Sequence, residues 1–317
     1  MKVALLITDK PGYEFSFGPV GTLLCDHGHE VLAVYPGEPP RDQRVRHANC
    51  DWENFELSPL LQFCPHRIVV FNGYHDRIHA ATRSIERLWK VLYFEHAWLP
   101  QAYHNTIDRL GPGVFSSACR DRVLGPRNPA QVLETLRALD PFYVTKPINA
   151  DIAEAIGTGY ILVPLQLEFD TSIRYGSPIF KSNRSLLGFV KTNFADFTVV
   201  VKPHPLDKNP PRVRGVFFMS KDVPFNDLVP NARAIVGINS TTMIEALVHK
   251  KPVLALGRNV ASNKGVYVEG RTAFENPRTV LSFQPDPEQV ERVLDFLFRH
   301  QFDRLNPPKW VEEYIIA

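Results

Sequence analysis

The sequence predicts an α/β chain made of two Rossmann-like domains facing a central cleft. Three observations predict it. Short apolar runs without polar alternation recur along the chain, as in strands covered on both faces. Stretches with apolar residues at helical spacing separate them. The strand–helix pattern then lapses and restarts near residue 159, so the 317 residues hold two such series.

In the first series the strands are "VALLIT" (3–8), "EVLAVY" (30–35), "RIVVFN" (67–72) and "KVLYFE" (90–95). "GPVGTLLCDHGH" (18–29) supplies a helix with a Gly/His stop, and "YHDRIHAATRSIERLWK" (74–90) a second helix. "TDKPGYEFSFGPV" (8–20) reads as a glycine-containing loop. It lacks G-x-G-x-x-G and so gives no sign of a dinucleotide. "GPRNPAQVLETLRALDPFYVTKP" (125–147) reads as a helix and linker. The second series has strands "GYILVPLQ" (159–166), "FTVVVK" (197–202), "RGVFFM" (214–219), "RAIVGI" (233–238) and "KPVLALG" (251–257). Its helices are 177–194, with Pro178 in the first turn, 240–250 and 286–302, and a last short one covers 306–315. The expected division is 1–145 and 146–317, with the last helices free to return to the N-terminal domain.

Bulk properties exclude several classes. Lys and Arg total 36 against 34 Asp and Glu, so no global field points to nucleic acid. No apolar run approaches the roughly 18 residues of a spanning helix, and "MKVALLITDK" reads as a first strand rather than a leader. Cys25, Cys50, Cys64 and Cys119 show no C-x-x-C spacing, as expected of reduced cysteines in a cytosolic protein.

Open α/β sheets bind ligands beyond the carboxyl ends of their strands, and those ends carry the chemistry-bearing residues. After 233–238 come Ser240, Thr241 and Thr242. Ser240 alone would cap a helix; three consecutive hydroxyls also suit a phosphate. Glu245, a turn later, either meets ribose hydroxyls or is solvated. After 197–202 come Lys202 and His204, the latter held between Pro203 and Pro205. Proline fixes its own φ and biases its predecessor, so His204 is either a bland turn or a rigid phosphate contact. After 159–166 come Gln166, Glu168, Asp170 and Arg174, a polar loop or a set including a nucleophile. Glu95 ends the strand 90–95, as a solvated strand end or as one of a pair of carboxylates with Asp170.

Four stretches together resemble the retaining β-Kdo transferases of bacterial capsule and O-antigen assembly. They are "YFEHAWLPQAYHNTIDRLGPGVFSS" (93–117), "ILVPLQLEFDTSIRYGS" (161–177), "VVVKPHP" (199–205) and "INSTTMIEALVHKKPVLALG" (238–257). The last two are shared loosely with other GT-B-like enzymes. The resemblance implies a GT-B-like fold with an acceptor-side N-terminal domain and a donor-side C-terminal domain. It implies Asp170 as the nucleophile holding Kdo, Glu95 as acid/base or its support, and Gln166 as a positioner of the donor sugar. It implies His204 and Ser240, Thr241 and Thr242 as contacts of the CMP phosphate. From charge alone, Lys202 or Arg174 would meet the Kdo carboxylate. A CMP-linked donor carries its own activated bond, so neither cofactor nor metal is expected.

The expected activity is transfer of Kdo from CMP-Kdo to a glycan or lipid-linked glycan of the bacterial surface, through a covalent Asp170 adduct with retention. Alternatives are another cytidine-nucleotide transferase (CMP-sialic acid or a CDP-polyol), a UDP-sugar 2-epimerase, and a non-catalytic polysaccharide-binding module. The expected location is cytoplasmic, at or near the inner membrane face. Trp310 and Tyr314 are open to a peripheral membrane or assembly contact and equally to core packing.

Overall fold

The computed structural model describes residues 1–121 and 128–317. Of the stretch 125–147, residues 125–127 lie outside the described residues. The chain forms two compact units, one of 1–97, 101–117 and 299–317 and one of 98–100 and 118–298. The sequence reading divides the chain between 145 and 146; the units part at Ser117 and Ala118, and Arg299–Ala317 belongs to the first.

The strands of the first unit are β1 (Lys2–Leu6), β2 (Glu30–Val34), β3 (Arg46–Ala48), β4 (Arg67–Phe71), β5 (Val91–His96), β6 (His104–Asp108) and β12 (Phe302–Asp303). Those of the second are β7 (Tyr160–Pro164), β8 (Val199–Lys202), β9 (Phe217–Phe218), β10 (Ala232–Gly237) and β11 (Val253–Ala255). The first sheet is ordered β12-β6-β5-β4-β1-β2-β3 and the second β11-β10-β7-β8-β9. Strands β1 to β5 are parallel, as are all five strands of the second sheet. Each sheet thus has the doubly wound order, its first strand between the second and the fourth. Both are Rossmann-like, as expected.

The apolar runs explain why. Along β1, Val3 and Leu5 join one core while Ala4 and Leu6 join another. Val69 and Ile68 divide between the same two cores. Successive side chains of a strand point to opposite faces, so each run needs helices on both sides. In the second unit Ile161, Val163, Val199, Val201, Ala234 and Val236 share one core.

Several elements depart from the sequence reading. The helix expected over 177–194 spans Asn183–Asn193 and is capped by Ser182, whose side chain accepts from Ser185 N–H; Pro178 lies ahead of it. The stretch read as a loop over 8–20 is helical from Lys10 to Phe17, capped by Asp9. β3, β6 and β12 have no counterpart among the expected strands.

The C-terminal helix Lys309–Ile316 packs on the helix Gly18–Asp26. Buried Glu312 brings its two carboxylate oxygens within 2.7 Å of His27 Nδ1 and 2.8 Å of His29 Nε2. Trp310 meets Phe302 edge-on at 5.6 Å and Arg109 lies 4.7 Å over the Tyr314 ring, so both aromatics pack within this unit. Among the described residues no helix is long and apolar enough to cross a membrane. Glu312→Ala removes the carboxylate oxygen bonded to His29 and the one facing His27, and should cost about 1–3 kcal/mol. A lower denaturation midpoint and faster amide exchange over 309–316 would register it; unchanged exchange there would show that the helix docks without Glu312.

Candidate active site

In the second sheet the order reverses between β7 and β10, and the residues leaving those two strands meet there. Gln166 and Asn239 are 6% and 3% exposed. Asn239 N–H donates to Gln166 Oε1 at 3.1 Å, and Gln166 Nε2 donates to Asn239 Oδ1 at 3.1 Å and to Ser172 Oγ at 3.2 Å. Asn239 Nδ2 in turn donates to the carbonyls of Ser172 (2.6 Å) and Arg258 (3.2 Å). Asn183 Nδ2 donates to Gln166 O at 2.8 Å, and Asn183 N–H to Glu168 Oε1 at 2.6 Å. Gln166, expected to touch donor sugar, therefore spends its amide on protein. It positions the loops that carry the other groups.

Asp170 follows on the β7 loop. It caps a short helix, Thr171–Gly176, its Oδ1 accepting from Ser172 N–H at 2.8 Å. A capping side chain needs only one acceptor, so Oδ2 is left without a protein hydrogen bond among the described residues. Its neighbour Phe169 is 78% exposed. Arg174 lies on the same helix, exposed, its guanidinium 5.5 Å from the Tyr175 ring.

His204 is half-buried beyond β8. Leu206 N–H donates to its Nδ1 at 3.2 Å, which places the proton of the neutral ring on Nε2. Burial holds its pKa below the usual histidine value, with the charge of Asp170 opposing as the leading upward influence. The structure thus brings Asp170 and His204 within electrostatic reach of each other. Lys202 turns inward. It is 6% exposed, and Nζ donates to the carbonyls of Lys221 (2.9 Å) and Pro203 (3.3 Å). Burial lowers its pKa. This lysine braces the loop after β8.

Ser240 is buried ahead of the helix Thr242–Val248, with Thr241 at the cap position. Its Oγ accepts from Thr242 N–H at 3.3 Å and from Thr242 Oγ1 at 2.8 Å. Two of the three expected hydroxyls therefore bond to each other, Ser240 keeping its own proton to donate. Glu245 is pushed up to about 7 by burial, against a hydrogen bond from Asn226. Asn226 Oδ1 lies 3.1 Å from His249 Nε2, and the His249 ring is edge-on to Tyr143 at 6.4 Å. Glu95, in the first unit, sits opposite Thr106 on β6, its Oε1 accepting from His96 N–H at 3.1 Å. Among the described residues no group of three or more His, Cys, Asp or Glu side chains could hold a metal ion.

Asn239, Asn183, Ser172 and Asn226 do not appear among the residues expected from sequence. Asn239 directly precedes Ser240 at a strand end, and that position was its only available signal. The second unit as a whole offers a carboxylate oxygen, an imidazole N–H and a hydroxyl at the carboxyl ends of β7, β8 and β10. That set suits a phosphorylated ligand carrying an electrophilic carbon.

Two Rossmann-like units with such a ligand edge define the GT-B-like class. Residues 146–279 match the family model described as capsule polysaccharide biosynthesis protein. The capsule polysaccharide modification protein LipB of Neisseria meningitidis is 31% identical over 133 residues, 35% of this chain and 32% of that protein. The capsule polysaccharide export protein KpsS of Escherichia coli is 30% identical over 156 residues, 44% of this chain and 39% of that protein. The matched stretches thus span between about a third and two fifths of these relatives' lengths. Among solved structures, the β-Kdo 2,4 transferase of Thermosulfurimonas dismutans KpsC aligns with a TM-score of 0.61 and 14% identity over 99% of this chain and 98% of that one. The β-Kdo 2,7 transferase of the same protein gives 0.59 and 16% over 96% and 92%. Residues 146–279 are thus similar to capsule polysaccharide biosynthesis proteins, and the fold of the chain is that of the two β-Kdo transferases.

Two outcomes test this geometry. Gln166→Leu strands Asn239 N–H and should cost about 1–3 kcal/mol, lowering the melting temperature; full stability would remove Gln166 from its bracing role. Glu245 is an acid whose folded pKa lies above its unfolded value of 4.5. The folded state then holds more protons between pH 4.5 and about 7, and stability falls as pH rises through that window. Glu245→Gln should match wild type near pH 4 and exceed it above pH 7, by up to about 3 kcal/mol. Parallel pH–stability curves would show that Glu245 ionises as freely in the folded chain as in the unfolded one.

Proposed function

We propose that this chain is a glycosyltransferase that moves Kdo from CMP-Kdo to a bacterial surface-polysaccharide acceptor, retaining configuration by double displacement on Asp170. The observation that carries the reading is the pairing of Asp170, with one oxygen pinned and one open, and His204, with Nδ1 pinned and Nε2 a donor, in a segment that matches capsule polysaccharide biosynthesis proteins.

In the first step the open oxygen of Asp170 bonds to the anomeric carbon of Kdo as the bond from that carbon to the CMP phosphate breaks. CMP leaves with the electron pair. His204 Nε2–H and the Ser240 hydroxyl donate to the departing phosphate oxygens, stabilising charge where it develops. In the second step an acceptor hydroxyl attacks the same carbon and the Asp170 carboxylate leaves. Glu95, carried here by the resemblance of 93–117, takes the hydroxyl proton. Two inversions restore the starting configuration. The phosphodiester linkage supplies a good leaving group, so no metal enters the proposal.

The test uses the cap. Asp170→Asn keeps an acceptor for Ser172 N–H, as asparagine caps about as well as aspartate, while removing the nucleophilic carboxylate. Wild type mixed with CMP-Kdo and quenched quickly should gain one Kdo in its intact mass, and Asp170→Asn should gain none while binding CMP as before. An adduct that persists in Asp170→Asn would remove that residue from the role. His204→Ala should weaken CMP binding at least tenfold with the melting temperature held; unchanged affinity would return His204 to a plain turn.

A further inference from the structure

The first unit has a guanidinium with two unpaired buried nitrogens at the corresponding edge of its sheet. Arg304 directly follows β12. Its guanidinium lies 3.7 Å from the centroid of the Phe15 ring, and both Nε and Nη1 are buried without a hydrogen-bond partner. Phe15 is 49% exposed, yet its ring meets His96 edge-on at 5.8 Å, and His96 meets Phe71 at 5.0 Å. His96 Nδ1 lies 3.3 Å from Oδ1 of Asn105, a residue with no exposed surface whose Nδ2 has no partner either. Burial lowers the pKa of His96, and the nearby charge of Arg304 lowers it further.

The topology places these residues at one edge independently of the side chains. Phe15 lies in the segment leaving the carboxyl end of β1, and His96 is the last residue of β5. β6 is antiparallel to β5, so Asn105 near its start lies at that same edge. β12 is antiparallel to β6 and therefore runs with β5, which brings Arg304 to it as well.

A buried donor without a partner costs about 1–3 kcal/mol, and more when it is charged. Native chains rarely tolerate such groups without a reason. The unpaired atoms of Arg304 and Asn105 are donors, two on the first and one on the second, while the neighbouring Glu14 Oε1 faces Arg41 at 3.4 Å. The missing partner is therefore acceptor-rich. The planar guanidinium presents its N–H groups in a fork that matches carboxylate and phosphate oxygens. Stacking on Phe15 fixes that fork in advance and reduces the entropy lost on binding. An exposed aromatic beneath a cation also offers an apolar face for a sugar ring. Glu95, next to His96, is the residue that takes the acceptor proton in the proposed reaction.

We propose that Arg304, stacked on Phe15 beside His96 and Asn105, is an oxyanion subsite for a carboxylate or phosphate of the acceptor. The word acceptor rests on the transferase reading above; the anion site itself does not. Two sources share the chemistry: an acidic sugar at the end of the glycan, and a phosphate of a lipid-linked carrier.

The experiment titrates the full chain, with CMP present, against the methyl glycoside of Kdo and, separately, glycerol 1-phosphate. Wild type should bind at least one saturably, and which one identifies the source. Arg304→Gln should weaken that binding at least tenfold, and Phe15→Leu several-fold. Phe15 is half exposed, so its variant should keep the wild-type melting temperature and reads the site even where Arg304→Gln does not fold. Failure of wild type to bind either anion would overturn the proposal, as would binding that ignores the folded variants. CMP affinity on the same samples separates the two readings: a wild type that binds the anion through Arg304 and ignores CMP would sink the CMP donor while leaving the anion subsite standing.

Discussion

The second unit depends on the mutual hydrogen bonding of Gln166 and Asn239. In a doubly wound sheet the connections from the two strands at the reversal run to opposite faces, and the loops diverge as they leave. A ligand fits there because the backbone opens, and for the same reason little backbone bonding is available to hold the opening in shape. The two side chains supply it, one from each loop, through Asn239 N–H to Gln166 Oε1 and Gln166 Nε2 to Asn239 Oδ1. Asn239 extends the bracing to the backbone of Ser172 and Arg258. Asp170 and Ser240 lie within a few residues of this pair, so their positions follow from it. A buried polar network of this kind is rigid only while every member is satisfied.

The two groups assigned to chemistry are held by one local device used twice. Asp170 Oδ1 accepts from the backbone N–H two residues on, and His204 Nδ1 does the same. Such short-range bonds compete with regular structure and favour caps and turns. Here one atom of each side chain is fixed and the other is left to a ligand. Burial holds the imidazole pKa below its ordinary value while the Asp170 charge works against it.

Residues that act through their own neighbourhood were legible in the sequence. The continuous apolar runs placed the central strands because burial on both faces leaves no room for polar alternation. Three strands at or next to the edges of the first sheet escaped notice: β3, β6 and β12 read Arg-His-Ala, His-Asn-Thr-Ile-Asp and Phe-Asp, short and rich in polar residues. Pro178 suggested a helix start, but Ser182 made the cap, since a side-chain acceptor satisfies a backbone donor and a proline only spares one. His204 announced itself through its flanking prolines. Lys202 did not announce that it turns inward, because charge says nothing about direction. Gln166 stood out at a strand end, but its bonds to Asn239 did not, because Asn239 lies far along the chain, where spacing gives no signal. Arg304 and Phe15 come from opposite ends of the sequence and meet only because β12 returns to the first sheet.

The two carboxyl edges differ in what they leave unsatisfied. In the second unit the polar groups are largely paired within the protein, with single atoms held back on Asp170 and His204. In the first unit a guanidinium is set on an aromatic ring with its Nε and Nη1 donors unmet. The match to capsule polysaccharide biosynthesis proteins covers 146–279, which contains Gln166, Asp170, His204, Asn239, Ser240 and Glu245 and none of Phe15, His96, Asn105 or Arg304. A shared leaving group makes the same demand on every enzyme that uses it, and a well-satisfied, rigid site meets that demand. Acceptors vary in charge and in the ring they present, and recognising one falls to groups whose bonding is completed only when it arrives. On the proposed reading, selectivity for the acceptor therefore resides in the first unit, at the edge where Arg304 Nε and Nη1 lack a hydrogen-bond partner.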